Sequence, residues 1–208
     1  MKKPKLRELW HAVKVLFHKP YTSGFPAEPP VVFENFRGKP EFVPDKCIGC
    51  GACAQVCPAR AIEVIDEYGP GKKPKRVLRR HYDECLYCGQ CGALCTVGDG
   101  IVYTHEFDLA TYAREEVVEV HTLDLVLCEV WGKPITTKEH LAWIARRLGP
   151  LAFANFTVGL SVYEELGGGS PGEPREPERF MRRSDITRQL CPDCRRAMIL
   201  TEGWGDLP

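Results

Sequence analysis

The sequence predicts an α+β protein: a small duplicated core, an amphipathic helix before it and a cysteine-containing extension after it. Three observations lead there. One four-cysteine spacing occurs twice, in "CIGCGACAQVCP" and, 38 residues later, in "CLYCGQCGALCT". Between the copies, "AIEVID" and "RVLRRHY" flank the Gly/Pro-rich "EYGPGKKPK", the pattern of a β-hairpin. Ahead of both, Leu6, Leu9, Trp10, Val13, Leu16 and Phe17 recur at helical spacing. The expected organisation is a helix and extended docking arm over 1–39, the duplicated core over 40–106, and an extension over 107–208.

Composition narrows the function. Lys plus Arg equals Asp plus Glu, 28 each, so the whole chain has no charge imbalance to attract nucleic acid, and none is expected as a partner. No apolar run approaches the ~20 residues of a membrane span, and the N-terminus lacks the apolar region and cleavage site of a secretory signal. Eleven cysteines is an odd number, gathered in tight groups. Neighbouring C-x-x-C pairs would close only small strained disulfide loops, whereas thiolates at that spacing converge on a metal centre. Metal sites in a reducing compartment, the cytoplasm, are therefore expected.

The N-terminal helix carries its apolar stripe beside a basic face: residues 1–20 hold six Lys or Arg and one Glu. Such a helix can lie in a lipid headgroup plane through residues 5–17, where each basic residue adds ~1 kcal/mol near anionic lipid. It can equally seat in a groove of another protein. The proline-rich "YTSGFPAEPPVVFENFRGKPEFVP" that follows reads as an extended arm.

Cys47, Cys50, Cys53 and Cys57 are spaced C-x2-C-x2-C-x3-C-P, and Cys85, Cys88, Cys91 and Cys95 repeat the spacing. The repeat extends outward, "PDKC" against "YDEC". Three cysteines at this spacing wrap a loop around a cube-shaped iron–sulfur cluster, and the fourth is expected at the start of a helix, pointing away. Zinc can use C-x-x-C pairs but has no need of this longer pattern twice over. Gly49, Gly51 and Gly89 suit tight loops that offer N–H groups to sulfur. Ile48, Ile62, Leu86 and Ile101 are expected to shield the clusters. The basic hairpin residues Lys72, Lys73, Lys75, Arg76, Arg79 and Arg80 either dock an acidic partner or form a solvated surface.

These residues, over 40–106, resemble bacterial 2[4Fe–4S] ferredoxin domains. The resemblance implies a ferredoxin-like fold with two [4Fe–4S] clusters and crossed ligands: Cys47, Cys50, Cys53 and Cys95 for the first, Cys85, Cys88, Cys91 and Cys57 for the second. One departure is local, since Pro58 follows Cys57 but Thr96 follows Cys95. With the helix, "YTSGFPAEPP" and "FRGKPEFVPDKCIGCGAC", the chain resembles the two-cluster electron-transfer subunit shared by respiratory complex I and membrane-bound [NiFe] hydrogenases. Within that group it is most similar to the formate hydrogenlyase iron–sulfur subunit. This implies a peripheral subunit at the inner face of the cell membrane, passing single electrons towards a hydrogenase large subunit through adjacent iron–sulfur subunits and attached to membrane subunits. The alternatives are a complex I-type quinone oxidoreductase subunit, or a free soluble ferredoxin, against which both extensions count. No nucleophile–base constellation, phosphate loop or nucleotide fingerprint is present, so no catalytic residue is expected and catalysis by this chain alone is not.

The extension carries three more thiols, Cys128 in "LCEVWGKPIT" and Cys191 and Cys194 in "CPDCRR". These resemble the cysteine-bearing tail of the hydrogenlyase type, except that Trp131 stands where that pattern has a second cysteine. Three thiols, with His121 or His140 as a candidate fourth ligand, make either a zinc or iron knuckle or a metal-free remnant. Thr136 and Glu139 predict a capping box for a helix to about Leu148, with Leu141, Ile144 and Leu148 as its buried stripe and Gly149-Pro150 as its end. "NFTVGLSVYEEL" alternates like a strand and is left undecided, and "GGGSPGEPREPE" (167–178) reads as a flexible linker.

Overall fold

The computed structural model describes residues 5–19, 22–168 and 186–200. Most of the expected linker over 167–178 lies outside them. The chain divides into two units, Met1–Phe36 and Arg37–Pro208.

In the first unit, α1 spans Leu6–Leu16. Glu8 Oε2 accepts the Lys5 backbone N–H at 3.2 Å, satisfying one of the donors that a helix start leaves open. None of its residues is buried, and Leu6, Leu9, Trp10, Val13 and Leu16 are all exposed.

The second unit begins with the duplicated core. Strand β1 (Pro40–Phe42) precedes the first cysteine run, whose third thiol lies in the short helix α2 (Ala52–Gln55). Strand β2 (Ile62–Glu67) follows, then β3 (Lys75–His81), α3 (Gln90–Ala93) in the second run, and β4 (Ile101–Tyr103). β2 pairs with β3 antiparallel, the expected hairpin, while β1 pairs with β4 from the other end of the core. Each strand leading into one cysteine run is thus bonded to the strand leaving the other, and this exchange joins the two copies. Phe42, Cys53, Ile62, Leu78, Ile101 and Leu123 form the core between them.

The extension grows from the same sheet. Strand β5 (Val118–Leu127) adds to β3 and β6 (Pro134–Thr137) adds to β5, giving the order β2-β3-β5-β6. The boundary expected at 106/107 falls in the connection before β5, whose strand continues the core hairpin. Helix α4 (Lys138–Leu148) is capped by Thr137, whose hydroxyl accepts the His140 N–H at 3.2 Å, rather than by the expected Thr136. A cap of this kind contributes ~1 kcal/mol. Its buried face is Leu141, Ala142 and Ala145, while Leu148 at the frayed end is exposed.

The undecided segment is helix α5 (Phe156–Glu165), because Asn155 caps the Thr157 N–H at 3.0 Å. Its inward hydroxyls are satisfied: Thr157 donates to the Leu190 carbonyl at 3.0 Å and Ser161 to the Val158 carbonyl at 2.7 Å. Helix α6 (Pro192–Leu200) closes the described chain.

Candidate functional site

Two loops set the geometry of the eight core cysteines. In the first, Gly49 and Gly51 take left-handed backbone, φ 64° and 79°, and turn the chain so that Cys47, Cys50 and Cys53 face one side. In the second, Gly89 does the same at φ 83°, but the position matching Gly49 is Tyr87, at φ 52°. A non-glycine residue there costs about 1–2 kcal/mol. The Tyr87 N–H donates to Cys85 Sγ at 3.4 Å, as the Gly49 N–H does to the Cys47 sulfur. The fourth cysteines, Cys57 and Cys95, were expected at a helix start; both instead lie just past the end of their short helices.

The thiols collect around two cavities. One is lined by Cys47, Cys50 and Cys53 of the first run with Cys95 of the second. The other is lined by Cys85, Cys88 and Cys91 with Cys57. Their further walls are largely apolar, Ile48, Leu78 and Ile101 around the former and Ala61 and Ile62 around the latter. A single tetrahedral ion with metal–sulfur bonds of about 2.3 Å needs sulfurs about 3.8 Å apart. Among the described residues, the one trio of ligating atoms within 4.8 Å of one another is Cys128, Cys191 and Cys194. The eight core thiols are therefore spread too widely for mononuclear zinc, and an all-thiol donor set around a wider space fits an iron–sulfur cluster. Burial pushes the Cys53 thiol up to about 12 and raises Cys47 and Cys85 as well, and neighbouring thiolates add to this. The Arg80 guanidinium acts in the opposite direction on all three.

The surroundings of the two loops differ. The Thr137 hydroxyl, which caps α4, donates to the Ile48 carbonyl, and Arg76 Nη1 donates to the Gly49 carbonyl at 2.9 Å. A Cβ on Gly49 would stand 2.8 Å from Thr137 Cγ2, so this loop is sealed under the extension. Around the second loop, Cys88 is exposed and Leu86 is 67% exposed, against 6% for the matching Ile48. Leu86 lines the second cavity but stands largely open, so it covers that cage less than Ile48 covers the first. Arg37 Nη1 donates to the Cys88 carbonyl at 2.8 Å, and the Tyr103 hydroxyl donates to the Gly89 carbonyl at 2.8 Å. Thr96 sits 3.2 Å from Cys50 Sγ through its hydroxyl, a contact its proline counterpart has no group to make.

The sequence marks Thr96 as a departure next to Cys95, and the fold sets it against the first run. Arg76 and Arg80 stand out in the sequence only as basic hairpin residues, and Thr137 does not stand out at all, until the fold brings them to the loops. Arg80 shares its strand face with Arg76 and Leu78, so nothing local sets it apart from its basic neighbours. Five of the six basic hairpin residues are engaged within the chain: Lys73 with Asp124, Lys75 with Glu67, Arg76 with Asp66, Arg79 with Glu63 and Arg80 with Glu119. The basic hairpin is therefore largely neutralised from within rather than a free docking patch.

In the extension, Cys128 follows β5 while Cys191 and Cys194 lie at the start of α6, all three buried. Cys128 Sγ and Cys194 Sγ are 3.7 Å apart. Burial raises the Cys128 thiol, but the backbone N–H groups of Cys191, Trp131 and Val130, with the Cys194 thiol, all favour its thiolate and bring it below its usual range. Burial drives Cys194 upward. Neither candidate histidine joins the trio. His121 stacks on Phe42 at 5.9 Å, and His140 shares a 2.8 Å hydrogen bond with the Thr136 hydroxyl.

Comparison with known proteins places this arrangement. A family model described as a 4Fe-4S dicluster domain matches residues 46–98. The chain is 36% identical over 124 residues to NADH-quinone oxidoreductase subunit I 2 of Geobacter metallireducens, covering 56% of this chain and 92% of that relative. It is 33% identical over 120 residues to formate hydrogenlyase subunit 6 of Escherichia coli, covering 58% and 64%. NAD(P)H-quinone oxidoreductase subunit I of Rippkaea orientalis is 36% identical over 169 residues, covering 80% and 82%. A chain that matches more than nine tenths of one such relative and carries the dicluster pattern belongs to the subunit I family of quinone oxidoreductases.

Proposed function

We propose that this chain conducts single electrons through two [4Fe–4S] clusters as a peripheral subunit of a membrane-associated hydrogenase complex of the formate hydrogenlyase kind. The observation that carries the reading is the pair of cavities, each gathering three thiols of one run and the fourth of the other. Cys47, Cys50, Cys53 and Cys95 hold the first cluster, and Cys85, Cys88, Cys91 and Cys57 hold the second. When bound, such clusters accept and release one electron each without bond chemistry. The chain's own work is to fix the pair in one rigid core, exclude water with Ile48, Ile62, Leu78 and Ile101, and set the charge and hydrogen bonding around sulfur.

The hydrogenase assignment draws on the extension as well as on the relatives. Cys128, Cys191 and Cys194 hold a single zinc or iron ion, a reading supported by the 3.7 Å sulfur separation, close to a tetrahedral edge, and by the N–H groups that favour a thiolate at Cys128. The alternative, a complex I-type quinone oxidoreductase subunit, has the relatives named for quinone reduction in its favour. Helix α1 attaches the chain through residues 5–17, to the inner membrane surface or to a partner subunit, because its apolar stripe is exposed. The adjoining partners are then the hydrogenase large subunit, neighbouring iron–sulfur subunits and membrane subunits.

Anaerobic purification of the native complex, with subunit identification and elemental analysis, tests this. The expected result is eight irons and one further ion attributable to this chain, together with a nickel-bearing large subunit. A complex without nickel selects the quinone-linked alternative, and far fewer than eight irons overturns the two-cluster reading. Removing residues 1–20 should release the chain from its complex without lowering its iron content; loss of iron would refute that division of labour.

A further inference from the structure

Arg80 is 0% exposed, in the middle of the duplicated core. A charge held there carries a large desolvation cost that one ion pair offsets only in part. Its Nη1 donates to the Pro40 carbonyl at 2.6 Å and to the Glu119 carboxylate at 2.8 Å. Its guanidinium lies 4.0 Å over the Phe42 ring. Stacking uses the flat face and leaves the edge donors free, and Nε and Nη2 have no hydrogen-bond partner among the described residues. Buried unpaired donors are rare in native proteins and point to a group the protein atoms do not supply. Arg80 also forms part of the wall of the cavity that gathers Cys57, Cys85, Cys88 and Cys91. Its charge reaches the other cavity too, favouring the thiolate at Cys53 and Cys47.

We propose that Arg80 raises the reduction potential of the cluster held by Cys57, Cys85, Cys88 and Cys91, by offering its charge and its free Nε–H and Nη2–H donors to the sulfur cage. On the other cluster it acts through charge alone. The inference rests on the cluster assignment above. Reduction adds one electron to a cluster, with no proton and no bond made or broken, so a fixed cation beside it favours the reduced form. Glu119 is the counterweight. It holds Nη1 of the same guanidinium and accepts the Phe42 N–H at 2.7 Å and the Tyr82 hydroxyl at 2.9 Å. A lysine would satisfy Glu119 but would lack the planar fork that leaves two donors over for sulfur.

The test is a dithionite titration of the cluster-loaded complex followed by electron paramagnetic resonance, with iron counted in each sample. In Arg80→Met, the second cluster should become harder to reduce by at least tenfold in its one-electron equilibrium, a shift of about 59 mV. The first should move in the same direction. Arg80→Lys should recover part of the shift by restoring charge, and Glu119→Gln should move both couples to easier reduction. Should Arg80→Met fail to assemble, Arg80→Lys decides, because it keeps the charge and removes the idle Nε–H and Nη2–H donors: the second cluster should still become harder to reduce while the first stays near its unaltered potential. Eight irons with unmoved potentials in Arg80→Met, or with an unmoved second cluster in Arg80→Lys where that variant decides, overturns the role of Arg80. Fewer than eight irons in the unaltered chain overturns the assignment beneath it instead.

Discussion

The two cysteine runs share one spacing and sit in opposite surroundings. Around the first, Ile48 is buried, the Gly49 loop is pressed against Leu123 and Thr137, and both loop carbonyls, of Ile48 and Gly49, are held by side chains from elsewhere in the sheet. Around the second, Leu86 and Cys88 are open, and the left-handed position is filled by a tyrosine that the first loop would have no room for. Duplication supplied two equivalent thiol cages, and the extension made them inequivalent by covering one. Burial and hydrogen bonds to sulfur are the levers that set cluster potentials, so a covered and an open copy of one motif need not share a potential.

The sharpest way to break the comparison is to swap the fates of the two cages. Cys57→Ser, although it alters the first run, should abolish the spectral signal of the second cluster and leave the first, and Cys95→Ser should do the reverse. Loss of the same-run signal in either variant would end the crossed assignment. Next in size is the pair at the loop tips. Ile48→Ala should destabilise the loaded chain by about 2–4 kcal/mol, the range for emptying a buried aliphatic site. Leu86→Ala should change stability by no more than about 0.5 kcal/mol, as surface substitutions do. Thermal or denaturant unfolding of both would show whether the burial difference is energetic; equal losses would mean that it is not. Smallest is Thr96→Val, which keeps the shape and removes the hydroxyl 3.2 Å from Cys50 Sγ. The first cluster should become harder to reduce by less than tenfold, under about 59 mV, with the second unmoved. A shift in the second alone would place the hydroxyl's influence on the wrong cage.

What could be read in advance followed the range of the interactions. The β2–β3 hairpin, the helix at Leu6–Leu16 and the helix ending at Gly149 are encoded by neighbours within one or two turns of chain, and each was legible. The cap at Thr137 was misread by one residue because Thr136 and Thr137 are both good caps and only packing chooses between them. Helix α5 was opaque because its alternating pattern satisfies a strand as well; Asn155 caps it, and its inward Thr157 hydroxyl finds its acceptor at Leu190, 33 residues away in sequence. At the candidate site the thiols were legible and most of their polar partners were not. Thr96 is marked by standing where the first run has Pro58, whereas no local pattern distinguishes Arg76, Arg80 or Thr137 from surface residues.

By itself the sequence determined the chemistry available: eight thiols in two equal spacings, glycines where the loops must turn, and three further thiols in the extension. Spacing along a chain is a short-range property, and short-range geometry is enough to decide that soft sulfur ligands will converge on metal. Tertiary structure alone decided which cage is covered, which carbonyls and sulfurs receive hydrogen bonds, and that a buried arginine with idle donors stands against the thiols. Those outcomes depend on strands closing from β1 to β4 and from β3 to β5, and the burial, charge and orientation such closures impose appear in no local window of residues.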